Sequence, residues 1–124
     1  SVTRLEKDHE ACGELPDHVA VYDINGSLFF GSAQKAMKTI TTVTPDIRVV
    51  ILDMSEVSML DVSAIVAMES IANSLAEKQI GLVINNLKPR MILKLSRAGI
   101  REQAGSVAFS GSLSDAIATA KTML

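Results

Sequence analysis

The sequence predicts a small α/β domain in which helices pack on a mixed, mainly parallel β-sheet. Three observations carry this. Short β-branched or apolar runs at 19–24, 47–53, 80–84 and 106–109 alternate with amphipathic helical stretches, the order that crossover connections produce. The runs at 47–53 and 80–84 are nearly all apolar, which suits strands covered on both faces. Finally, 124 residues with 48% hydrophobic and 21% charged side chains make one globular domain. Aromatic residues are only 3% and Trp is absent, so the core must be aliphatic.

Taken in order, residues 1–18 are polar and mixed in charge. They read as an arm with room for one irregular edge strand. Residues 19–24 form a strand, and Asn25-Gly26 behind it is a hairpin signal that makes 27–30 a returning strand. A helix opens at Gly31-Ser32, with Ala33, Ala36, Met37 and Ile40 on one face. It fades in the β-branched run before Pro45. The strand at 47–53 is the central one. Asp61 is placed to cap the strongest helix, from Val62 to about Gln79, with Ile65, Met68, Ala72 and Leu75 as its apolar stripe. The strand at 80–84 ends in Asn85-Asn86. Pro89 suits the first turn of a helix that stops at Gly99. After the strand at 106–109, Ser112 to Asp115 resembles a capping box with Asp in place of Glu. The last helix carries Leu113, Ala116, Ile117, Ala120 and Leu124 on one face.

Several function classes are excluded by composition or left without support. The net charge of −2, from 12 basic and 14 acidic residues, gives no reason to expect a nucleic acid partner. The single Cys12 permits no internal disulfide and fits a reducing compartment. No apolar run approaches the ~18 residues of a membrane span. No phosphate loop, dinucleotide fingerprint or nucleophile elbow is present. The two histidines, His9 and His18, lie in the polar arm; His9 with Cys12 falls short of a structural zinc set. Neither a catalytic group nor a metal site is expected.

Two segments have chemistry to offer. The first, Asp53-Met54-Ser55-Glu56-Val57-Ser58-Met59-Leu60-Asp61-Val62-Ser63-Ala64, joins the central strand to the strongest helix, at the sheet end where binding sites collect. Asp53, Ser55, Asp61 and Ser63 are its candidate residues. Orphan N–H groups and the helix dipole favour an anion there, and Ser63 could present a phosphoryl group to them; the same residues also suit a helix start with no further role. The second is the basic set Arg90, Lys94, Arg97 and Arg101, spaced by 4, 3 and 4 residues. Arg90, Lys94 and Arg97 are candidates for contact with anionic lipid or an acidic partner; a solvated cationic face is the plainer alternative. Arg101 lies beyond Gly99 and need not share the helix.

The strand-to-helix segment from Asp53 to Ser63, within this order of elements, resembles the STAS domain, found in bacterial anti-sigma factor antagonists and in the cytoplasmic tail of SulP-type anion transporters. The resemblance spans about residues 19–124. Leu93-Lys94-Leu95-Ser96-Arg97-Ala98-Gly99-Ile100 is similar to the family's helix end. Asn25-Gly26-Ser27-Leu28-Phe29-Phe30-Gly31 is similar to the transporter branch. Ser63 falls where the antagonists carry a phosphorylated serine. Val62 stands where they have another Ser, and Ala64 replaces the following Gly, whose bare backbone permits close approach.

The resemblance implies a single, non-catalytic STAS domain over residues 1–124, the C-terminal cytoplasmic part of a longer SulP-like sulfate or anion transporter. Its expected partner is the transmembrane domain of the same transporter, with a cytoplasmic protein partner and the membrane surface as further contacts. The expected location is the cytoplasmic side of the inner membrane. No cofactor is expected, although the family leaves nucleotide binding open. The alternative implied is a free-standing anti-sigma factor antagonist switched by phosphorylation at Ser63.

Overall fold

The two apolar runs that the sequence places inside a sheet lie side by side at its centre. The computed structural model describes residues 2–5, 15–25, 38–40 and 45–124. Strands β1 (Val2–Leu5), β2 (Val19–Asn25), β3 (Val49–Glu56), β4 (Gly81–Asn85) and β5 (Val107–Ser110) form one sheet in the order β1-β2-β3-β4-β5. β1 pairs antiparallel with β2, and β2 through β5 are parallel. Three helices are described along their whole length: α1 (Val62–Glu77), α2 (Pro89–Arg97) and α3 (Leu113–Thr122). Residues 38–40 are also helical, and Ile40 is buried.

Side chains alternate across each strand, so the sheet divides the core in two. Ala20, Tyr22, Val50, Leu52, Met54, Leu82 and Ile84 face one layer, with Ala64, Met68, Ile71 and Leu75 of α1 and Met91 and Leu95 of α2. Val19, Val21, Val49, Ile51 and Val83 face the other, against Ala116, Ile117 and Ala120 of α3. The expected central position of β3 and the burial of Ile51 and Leu52 are both found.

Three details differ from expectation, while others are found or lie outside the described residues. The edge strand expected in the arm is β1, and it occupies one side of β2 while β3 occupies the other. The returning strand expected at 27–30, the Asn25-Gly26 turn beyond Asn25 and the helix start at 31–37 lie outside the described residues, as do His9 and Cys12. β3 begins later and runs on to Glu56, because a register shift in β2 lets Asn25 pair with Glu56. The buried stripe of α1 is Ala64, Ala67, Met68, Ile71 and Leu75, while Ile65 and Ala72 are only partly covered. Leu124, expected on the inner face of the last helix, lies beyond α3 and is exposed.

Helix ends follow backbone chemistry closely. The Asp61 carboxylate accepts the Ala64 N–H at 2.8 Å, and the Ser112 hydroxyl accepts the Asp115 N–H at 3.1 Å. α2 ends in a Schellman motif: Ile100 N–H reaches Leu95 O at 2.9 Å and Gly99 N–H reaches Ser96 O at 3.0 Å, with Gly99 at φ +94°. α1 ends the same way, Ile80 N–H to Leu75 O at 2.8 Å and Gln79 N–H to Ala76 O at 3.0 Å. There, however, Gln79 holds the left-handed position at φ 59°, where a Cβ is strained.

These ends generate paired stability predictions, read by chemical denaturation. Gln79→Gly should raise the unfolding free energy by about 1 kcal/mol, and Gly99→Ala should lower it by about as much, although open space surrounds Gly99. Asp61→Ala should cost about 1 kcal/mol through loss of the cap. A neutral Gln79→Gly would show that the left-handed conformation carries no strain.

Candidate functional site

The segment after the central strand is set by where β3 stops. Because β3 continues to Glu56, Asp53 lies in the strand as expected and Ser55 joins it there, outside the loop expected for it. Asp53 is half-buried and its Oδ1 accepts the Ser55 N–H at 3.2 Å, while Ser55 is exposed. A turn closed by Val57 N–H to Met54 O at 3.0 Å ends the strand. Buried Val57 and Leu60 then anchor the connection from below.

Ser63 lies in the first turn of α1, half-buried, and its hydroxyl bonds to none of the described residues. Asp61 occupies one of the first-turn donors, so the remaining orphan N–H groups and the helix dipole favour an anion while the Asp61 carboxylate opposes it. Ala64 is 0% exposed and packs in the core. Its methyl group therefore points away from the surface around Ser63, and the absence of Gly there does not obstruct approach. Val62 is the side chain that faces outward, 78% exposed. Val66 one turn on and Met59 in the loop are exposed as well.

The basic set separates into parts. Arg90 and Lys94 line a cleft of about 450 Å³ together with Ser58, Met59 and Met91. The Lys94 ammonium donates to Leu60 O at 3.4 Å, a long contact that still fixes α2 against the loop. The fold thus brings Arg90 and Lys94 to the loop at 58–60, while none of Asp53, Ser55, Asp61 and Ser63 lines this cleft. Arg97 is exposed and lines no part of this cleft. Arg101 turns back after Gly99 and donates from Nε to Ser96 O at 3.1 Å, so it leaves the helical face, as its position beyond Gly99 foretold.

One polar residue with a distinct environment had been read only as a strand end. Asp23, Asp53, Asn85 and Ser110 stand in register across β2 to β5. Asn85 is 0% exposed; its Oδ1 accepts the Ser110 hydroxyl at 2.8 Å, and its Nδ2 has no partner among the described residues. The signal available in the sequence was an amide directly after four apolar strand positions. Among the described residues no group of three His, Cys, Asp or Glu could hold a metal ion, and no described helix is long and apolar enough to cross a membrane.

Comparison with known proteins supplies the family. No curated protein sequence matches the chain. Among solved structures, a sulfate transporter family protein from Wolinella succinogenes superposes with a TM-score of 0.76 at 24% identity, over 95% of this chain and 97% of that one. The STAS domain of a SulP transporter from Vibrio cholerae gives 0.69 at 24% identity, over 86% and 84%. The unphosphorylated anti-sigma factor antagonist SpoIIAA gives 0.67 at 16% identity, over 86% and 93%. At these identities the likeness is one of fold. A family model for the STAS domain matches residues 14–116, most of the sequence, and the chain accordingly belongs to the STAS-domain family.

Proposed function

We propose that the chain is a non-catalytic regulatory and interaction domain of a SulP-like sulfate or anion transporter, working on the cytoplasmic side of the inner membrane beneath its own transmembrane domain. The observation that carries this reading is the cleft where Arg90 and Lys94 face Ser58 and Met59 of the loop, on the connection that leads to the exposed Val62 and Val66 at the start of α1. Apolar area with a cationic rim favours docking against an acidic protein surface or anionic lipid headgroups. The likeness to transporter structures and the similarity of the 25–31 segment to the transporter branch support the same reading. On it, Asp53 and Ser55 shape the strand end, Asp61 holds the helix start, and Ser63 is the point where charge is added.

A second reading is favoured by the likeness to an anti-sigma factor antagonist and by the Ser63 hydroxyl, which bonds to none of the described residues. In it the domain stands alone and is switched by phosphorylation. The complete reading frame separates the two. A preceding series of apolar segments of about 20 residues each supports the transporter, and a frame ending near residue 1 overturns it.

Two measurements test the surface. A phosphate adds about −1.5 to −2 charges to a site where the helix start attracts and Asp61 repels it. Ser63→Asp is therefore expected to alter partner binding or transport far more than melting temperature, whereas Ser63→Ala leaves both nearly intact. Unfolding by Ser63→Asp, or no effect in the full-length protein, overturns the regulatory role of Ser63. Each basic side chain near an anionic surface contributes roughly 1 kcal/mol. Reversing Arg90, Lys94 and Arg97 to Glu should then weaken association with anionic vesicles, or transport, by about a hundredfold at low salt with the fold intact. Unchanged association and transport would leave these three as solvated cations.

A further inference from the structure

A second cleft, of about 190 Å³, opens between α1 and the segment from Ala98 to Val107, apart from Ser63 and from the surface walled by Arg90 and Lys94. One wall is a face of α1, where Glu69 and Asn73 stand one turn apart. The opposite wall carries Arg101 and Gln103, and Ala72, Ile100 and Val107 give the lining its apolar part. The two charged groups are not spent on the protein. Glu69 is half-buried and makes no hydrogen bond or ion pair with the described residues. Arg101 uses only Nε, toward Ser96 O at 3.1 Å, which leaves its two terminal amino groups free among the described residues.

The position of Arg101 follows from the backbone. The left-handed Gly99, φ +94°, turns the chain so that Ile100 drops into the core and Arg101 folds back over the end of α2. A carboxylate without a partner can accept hydrogen bonds from an ammonium, and a guanidinium whose terminal nitrogens are free presents a fork suited to a carboxylate. Opposite charges on the walls, side-chain amides beside each and an apolar lining between them ask for a ligand with the same arrangement. The volume equals that of about six water molecules, so the ligand is small.

We propose that this cleft binds a small zwitterion of the α-amino-acid class. Its ammonium pairs with Glu69, its carboxylate with the terminal amino groups of Arg101, and a short side chain rests against Ala72, Ile100 and Val107. The proposal does not depend on whether the domain serves a transporter or stands alone, since neither reading uses this cleft.

The test is an amide-resolved NMR titration of the 124-residue chain with glycine, L-alanine and L-serine into the millimolar range, with ethylamine and acetate as half-ligands. Saturable shifts confined to 69–76 and 98–107 are expected for the amino acids, with each half-ligand at least tenfold weaker. Glu69→Gln and Arg101→Met should each weaken L-alanine at least tenfold while peaks outside the cleft stay in place. Should Glu69→Gln disturb the fold, the exposed Arg101→Met carries the test alone. Absence of saturable shifts overturns the proposal. So does acetate or ethylamine binding as well as L-alanine, which would mark a simple ion site, and so does unchanged binding by the Arg101 variant.

Discussion

The constraint on which the rest of the structure depends is the double burial of β3 and β4. Val49, Val50, Ile51 and Leu52, and beside them Leu82, Val83 and Ile84, offer no polar side chain to either face of the sheet and are all buried. Burying one such side chain fully contributes about 1.5–3 kcal/mol, so leaving either face wet would be prohibitive for a domain of this size. Helices are therefore required on both sides. The crossovers to α1 and α2 cover one face, and α3 covers the other. The parallel order β2-β3-β4-β5 follows, because each strand must return through a helix before the next can pair.

That order also decides where chemistry can gather. In a parallel sheet the strands end at one edge, and the helices that follow begin there. The loop after β3, the start of α2 after β4 and the Ser110 to Ser112 turn after β5 thus share one end of the molecule. Residues more than 30 positions apart, Leu60 and Lys94, meet there through a hydrogen bond. The row Asp23, Asp53, Asn85 and Ser110 crosses the sheet near the same end, with Asn85 still fully buried.

Much of this was legible in the sequence because it rests on local rules. The apolar run at 47–53, the cap at Asp61, the proline at the start of α2 and the glycine after it each report a backbone requirement or a burial pattern that acts over a few residues. What could not be read there rests on pairing at a distance. Nothing near Asp53 shows that β3 runs on to Glu56, since that depends on a register shift in β2. The set Arg90, Lys94, Arg97 and Arg101 looks like one face when counted by spacing, yet Gly99 reverses the chain and sends Arg101 elsewhere. The exposure of Met59, Val62 and Val66 could not be read either, because it depends on which face of α1 meets the sheet.

The two departures from the antagonist pattern at the start of α1 carry opposite weight once the fold is known. Ala64 looks like an obstacle in the sequence, but its methyl group is packed beneath the helix and changes nothing that a partner would meet. Val62 looks harmless and is the larger change, since it sets an isopropyl group at 78% exposure where the antagonists have a hydroxyl. A hydroxyl beside Ser63 remains well solvated when no partner is bound. An exposed valine with Val66 one turn on, exposed as well, gains free energy each time it is covered. A surface of that kind suits an interface that stays formed, with charge at Ser63 adjusting its strength, better than one that must release its partner completely. A domain tethered beside its partner in one chain has that need, because the tether keeps the local concentration high and leaves the surface only the task of choosing between docked positions.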